Sequence, residues 1–315
     1  MAVGSRPLVP SRLAKGGVVH GGGRTPTTRI AGFVALMKLR VVELLLITTV
    51  PVMVLAEKGW PSTDLVLITL LGGTLAAGGA NAVNMVVDRD IDALMPRTQG
   101  RPLVTGLVSP REAMVFAIGL EVVAFVVLTV WANLLSAVLT LSAMLFHVFV
   151  YTLWLKRTST QNIVIGGAAG AVPVLVGWSA VRNDLGWAPV LLFVVMFLWT
   201  PPHFWALAIR YREDYKAAGV PMLPVVETLE TTVRRMVLYT AVMVAGTVAL
   251  WPVGELGWIY GVAAVVLGAL FLWGTADLGR NPAPARAMRV FAYSITYVTL
   301  LFAAITVDVL VRHGV

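Results

Sequence analysis

The sequence predicts an all-α integral membrane protein, and three observations predict it. Hydrophobic residues make up 58% of the 315 and charged residues only 13%, a balance too apolar for a soluble domain of this length. Apolar stretches of roughly 18–23 residues recur along the chain, each long enough to cross a bilayer as a helix. The basic residues then fall on one side of the spans: 21 of the 24 Lys and Arg share a face, and only Lys58, Arg182 and Arg312 are left on the other. That asymmetry accounts for the net charge of +8 as membrane topology rather than nucleic-acid binding. The absence of cysteine excludes disulfides, thiolate metal sites and a Cys nucleophile.

Taken in order, residues 1–30 read as a basic disordered tail, free of acids, rich in Gly, Pro, Ser and Thr, and drawn to anionic lipid heads. Residues 31–315 form a single polytopic domain. Its nine expected spans run roughly 34–55, 65–87, 112–131, 134–155, 163–181, 188–209, 236–253, 256–276 and 289–310, bundled around a central cavity. The basic excess puts the N-terminus in the cytoplasm and the C-terminus opposite. Trp60, Trp187 and Trp258 lie where interface anchors belong. Two long loops, after spans 2 and 6, emerge on the cytoplasmic face, and the chemistry is expected between them.

The first loop opens on Asn84, Asp88 and Asp92, spaced i, i+4, i+8. Each four-residue step turns a helix by about 400°, so the three side chains stay within roughly 80° of one face. Carboxylates are disfavoured at a helix C-terminus and costly near hydrocarbon, so something cationic should offset them. Their oxygens are hard ligands suited to Mg²⁺ together with substrate phosphate. Arg97 and Arg101 follow and are able to grip phosphate oxygens. The plainer alternative is a solvated loop in which Asp88, Asp90 and Asp92 pair with Arg89, Arg97 and Arg101.

At the second loop, span 6 ends in Thr200-Pro201-Pro202-His203. The prolines cannot donate, which predicts a break in the helix ladder, with His203 beside it either as an interior histidine or as a ligand. Asp214 with Arg210 and Arg212 reads as a second metal and phosphate patch or as solvated loop. Span 4 ends in Tyr151, Lys156 and Arg157, read as topology anchors or phosphate contacts. His147, one turn before Tyr151, reads as structural. Glu43 is placed near the polar site; Glu121 and Asp308 lie deeper without evident partners. The Gly- and Ala-rich start of span 5 reads as a close-packing surface.

Asn84-x-x-x-Asp88-x-x-x-Asp92 followed by Arg97-Thr-x-x-Arg101-Pro closely resembles the first aspartate motif of the UbiA-type intramembrane prenyltransferases, and the resemblance covers roughly residues 30–310. Tyr151-Thr-Leu-Trp-Leu-Lys-Arg, Gln161-Asn-Ile-Val-Ile-Gly-Gly, Thr200-Pro-Pro-His-Phe-Trp and Asp214-Tyr-x-x-Ala-Gly-Val-Pro-Met-Leu-Pro are similar to its heme-farnesylating branch. Many members carry a second D-x-x-x-D motif; here the matching stretch offers only Glu213 and Asp214, in keeping with that branch. The resemblance implies transfer of farnesyl from farnesyl diphosphate to a vinyl group of heme b, forming heme O for heme-copper oxidases. Heme b enters as substrate, not cofactor. It implies a Mg²⁺ site at Asn84, Asp88 and Asp92, with Arg97, Arg101 and Asp214 in the catalytic set. Tyr151, Lys156, Arg157, His203, Arg210 and Arg212 would then bind substrate, His203 at the heme. The implied surroundings are membrane lipid, a bacterial plasma membrane rather than a mitochondrial inner one, and heme A synthase or oxidase-assembly partners. A sister enzyme prenylating an aromatic quinone precursor and a membrane heme carrier are the alternatives.

Overall fold

The computed structural model describes residues 26–314, and among them every regular element is helical. Residues 1–25 of the expected tail lie outside the described residues, but its last five already belong to helix α1 (Pro26–Leu36). Pro26 suits a first helical turn, where its missing N–H costs nothing. The chain breaks at Met37–Lys38, with Lys38 in the left-handed region (φ 51°), before α2 (Leu39–Glu57) begins. The first expected span, 34–55, is therefore two helices with a lysine at the joint. Helix α3 (Thr63–Val87) starts on Ser62, whose hydroxyl accepts from the Leu65 amide, and runs to the first acidic loop.

Helix α4 (Arg89–Leu94) follows, then α5 (Pro110–Trp131), begun by a capping box between Ser109 and Glu112. The next span combines α6 (Leu134–Leu145), a π-helical segment (Phe146–Leu155) and the single turn α7 (Lys156–Thr158). Helices α8 (Asn162–Arg182) and α9 (Trp187–Arg210) form a hairpin. Two short pieces, α10 (Arg212–Ala217) and α11 (Leu223–Val226), occupy the second long loop. Helices α12 (Leu229–Val253), α13 (Trp258–Arg280) and α14 (Pro284–His313) complete the bundle.

Among the described residues eight helical stretches are long and apolar enough to cross a membrane, and α2, which holds most of the first expected span, is not one of them. Helix α9 winds on through Pro201 and Pro202, whose fixed φ is helical. The expected break is confined to the hydrogen-bond ladder, where the carbonyls of Phe197 and Leu198 lose the N–H four residues on.

Small residues set how closely these helices approach. A Cβ on Gly79 would sit 3.0 Å from the Ala117 carbonyl oxygen, and one on Gly177 would sit 2.6 Å from that of Thr49. The α3–α5 and α2–α8 contacts therefore need glycine. The largest apolar cluster runs from Val52 through Trp199, Met236 and Phe271 to Tyr297 and Phe302. At the end of the bundle remote from the acidic loop, Asp308 is 1% exposed and accepts from the Gly257 and Tyr260 amides at 2.5 and 3.1 Å. This buried acid caps α13 from α14 and satisfies otherwise orphaned helix-start donors. Lipid-facing residues such as Leu67, Val115, Leu238 and Trp273 stay exposed, as a bilayer solvent allows.

Candidate active site at the acidic loop

Helix α3 does not end abruptly at its acids. The Asp88 amide donates to the Asn84 carbonyl at 2.9 Å and the Asp92 amide to the Asp88 carbonyl at 2.8 Å, so helical winding carries through into α4. The i, i+4, i+8 register is thereby preserved. Asn84, Asp88 and Asp92 are 5%, 0% and 2% exposed, a buried row at one end of the bundle.

The offsetting cations come from three other places. Lys156, just past the π-helical segment, bonds Asp88 Oδ2; Arg101 in the loop bonds Asp92 Oδ2. Lys38, at the joint of α1 and α2, donates to Asn84 Oδ1 at 2.8 Å. Lys38 also lies within electrostatic reach of Arg101, Lys156, Asp88 and Asp92, so these groups form one cluster. Arg157 instead makes a two-pronged pair with exposed Asp90, at 2.7 Å to each oxygen. That hydrogen bonding holds the Asp90 carboxyl down at about 2. The expected Asp–Arg pairing thus occurs for Arg101, while Arg89 and Arg97 are engaged elsewhere.

The donor set suits a hard cation. Asp88 Oδ1 is buried with no hydrogen-bond partner, and Arg157 Nη2 lies 3.9 Å from it. A desolvated carboxylate oxygen of this kind is costly unless a ligand completes it. Among the described residues no three His, Cys, Asp or Glu side chains converge on a metal position, so a cation here would need the Asn84 amide oxygen and ligand oxygens beside the two carboxylates.

Arg97 does not turn toward the row. Its guanidinium donates to the Tyr215 hydroxyl at 2.9 Å and lies 5.4 and 5.2 Å from the ring centres of Tyr211 and Tyr215. It clasps the first loop to the second, above an apolar patch of Ile91, Met95, Ile163, Tyr215, Val220 and Met222. Replacing Arg97 by Ala should therefore open both loops, with faster hydrogen exchange in 89–108 and 211–226. Unchanged exchange in the second loop would show that the clasp carries no energy.

The remaining expected residues divide. Tyr151 stands near the row, its ring centre 6.0 Å from Lys156 Nζ and 5.2 Å from that of His147. His203 is packed into the core, its ring stacked on Trp199 at 4.3 Å and Phe291 at 4.5 Å, with Nδ1 2.6 Å from the Ser294 hydroxyl. That environment matches the interior-histidine alternative. Arg210 sits over Tyr211 at 5.7 Å, Arg212 is exposed, and Asp214 makes no side-chain hydrogen bond or ion pair among the described residues. Glu43 is exposed and stays outside the cluster. Lys38 and Thr152 are the residues sequence reasoning missed. Lys38 is one of several basic residues flanking the first span, and nothing local marks Thr152, whose hydroxyl meets Asn84 at 3.2 Å.

The sequence profile described as the UbiA prenyltransferase family matches residues 45–303. A Streptomyces avermitilis protein named protoheme IX farnesyltransferase is 54% identical over 291 residues, covering 90% of this chain and 95% of the relative. A Frankia casuarinae protein of the same name is 56% identical over 288 residues, covering 90% of this chain and 100% of the relative. Among solved structures, one described as concerning digeranylgeranylglyceryl phosphate synthase in membranes aligns with TM-score 0.75 at 17% identity, over 90% of this chain and 99% of that one. A UbiA homolog from Archaeoglobus fulgidus bound to GPP and Mg²⁺ aligns with TM-score 0.61 at 20% identity, over 87% and 99%. At such identities the structures speak for the fold, while the family profile and the curated relatives speak for descent. The chain belongs to the UbiA prenyltransferase family.

Proposed function

We propose that this protein transfers the farnesyl group of farnesyl diphosphate to a vinyl group of heme b, forming heme O. The observation that carries the reaction type is the buried row of Asn84, Asp88 and Asp92 set among Lys38, Lys156 and Arg101. The acceptor is supported by the name shared by relatives 54–56% identical over most of their length.

Asn84, Asp88 and Asp92 would hold Mg²⁺, which supplies Lewis-acid neutralisation of the leaving diphosphate. The ammonium of Lys38 releases the Asn84 amide oxygen, the ammonium of Lys156 and the guanidinium of Arg101 release Asp88 and Asp92, and all three turn to the phosphate oxygens. They are already desolvated and close, so charge developing as the farnesyl C1–O bond breaks meets donors that need little reorganisation. The Arg97 clasp closes the two loops over this end and limits water around the allylic cation. The terminal vinyl carbon bonds to C1, and the cation left beside the porphyrin is taken by water, which gives up a proton. A chamber between the helices would hold the isoprenoid tail, with the loops on the cytoplasmic side of a bacterial plasma membrane.

Expression in a strain lacking heme O, followed by mass spectrometry of extracted hemes, tests the proposal. The expected product is heme b enlarged by one farnesyl group and one hydroxyl. Unaltered heme together with a prenylated aromatic acid would instead assign the protein to quinone precursors.

A further inference from the structure

We propose that Thr152 is a positioning residue that decides which end of the Asn84 amide faces the bound cation and diphosphate. The inference rests on the diphosphate reading above. It begins with the backbone. Residues 146–155 are wound as a π-helix, and the Lys156 amide bonds the Tyr151 carbonyl five residues back. Such segments are rare and frequent at functional sites. An α-helix would carry nine residues through about 900°, putting positions 147 and 156 on opposite sides. At about 4.4 residues per turn, π winding brings 147, 152 and 156 to one side. Thr152 and Lys156, four apart, face the end of α3 together, and the wider register places the His147 carbonyl within reach of the Thr152 hydroxyl.

Hydrogen-bond bookkeeping does the rest. Thr152 is fully buried and has one hydroxyl proton, which it donates to the His147 carbonyl at 2.9 Å. The oxygen is left to accept, so the Asn84 atom facing it at 3.2 Å must be the amide nitrogen. Asp88 Oδ2, also an acceptor, takes the second proton of that NH₂ group at 2.7 Å. With both amide protons used, Asn84 Oδ1 is turned to the opposite side, where Lys38, a donor only, meets it at 2.8 Å. The oxygen needed as a ligand is thus aimed by Thr152 and Asp88 together. Asp88 is itself a proposed ligand, which leaves Thr152 as the partner whose sole task is orientation.

The test uses the full-length protein in detergent, Mg²⁺ and farnesyl thiodiphosphate, a slow-reacting analogue, with thermal melting as the readout. Wild type should be stabilised by the analogue in a Mg²⁺-dependent way. Thr152→Val keeps the shape but removes the acceptor and should raise the Mg²⁺ concentration for half-maximal stabilisation about 10-fold. Thr152→Ser should return it to the wild-type value. If Val weakens the fold itself, the Ser variant decides: Val shifted and Ser normal supports positioning, and equal shifts in both overturn it. An unshifted Val variant overturns it as well. Wild type with no Mg²⁺-dependent stabilisation would overturn the diphosphate reading and this inference with it.

Discussion

Asp88→Asn should lower heme O formation by roughly 10³-fold in purified protein supplied with farnesyl diphosphate, heme b and Mg²⁺. The substitution preserves shape and removes one charge at a position with no access to water. Two effects coincide there. The cation site loses a carboxylate whose Oδ1 has no other partner, and the new amide can present an NH₂ group to the Lys156 ammonium, a donor against a donor. Asp92→Asn should cost less, about 10²-fold, because Asp92 is already drawn to Arg101 and lies a further turn along. Product chromatography measures both, and melting temperature in detergent separates lost chemistry from lost fold. Near-normal turnover in the Asp88 variant would remove the metal-assisted mechanism. A larger loss at Asp92 than at Asp88 would move the centre of the cation site toward α4.

Why some of this site could be read from the chain and some could not follows from how far each interaction reaches. The facing of Asn84, Asp88 and Asp92 is a local matter of helical period, and it survived because α3 winds on through Asp88 into α4. Arg101 lies nine residues from Asp92, close enough for the pairing to be considered from sequence. The bundle was equally legible, since apolar length and basic asymmetry are imposed by the bilayer on each segment separately. Lys38 is 46 residues from Asn84, and Lys156 and Thr152 are each 68 from their partners on α3. For Lys38 topology alone accounts for a lysine near a span end, whereas Lys156 is open to phosphate contact from the sequence as well. The π winding left no trace because hydropathy reports which residues are apolar, not how many fit in a turn. Pro201 and Pro202 interrupt the hydrogen-bond ladder as the local rule requires, but not the winding, because proline's φ is helical and the long α9 holds its course. The neighbours of His203, Trp199 on its own helix and Phe291 and Ser294 on α14, are beyond local pattern because two of them lie about 90 residues away.

Lys156→Met should separate the two tasks that the structure gives one ammonium. Asp88 is completely buried and Lys156 is its direct counter-ion, so removing the lysine leaves a desolvated carboxylate with only the Asn84 amide and a distant Arg157. Breaking a buried pair in this way costs about 3–5 kcal/mol, which should appear as a marked fall in melting temperature without metal. Mg²⁺ with the thiodiphosphate analogue should recover much of that fall, because the cation would replace the lost charge at Asp88. Turnover should not recover with it. In the proposed mechanism Lys156 leaves Asp88 for the phosphate oxygens as the C1–O bond breaks, a contribution worth about 10²-fold that saturating metal cannot supply. The double variant Asp88→Asn/Lys156→Met distinguishes the two tasks further. It carries neither charge and should be more stable than Lys156→Met alone, yet no more active than Asp88→Asn. Full recovery of turnover in Lys156→Met at high Mg²⁺ would reduce the lysine to a placeholder for the cation and leave departure of the diphosphate to Lys38 and Arg101.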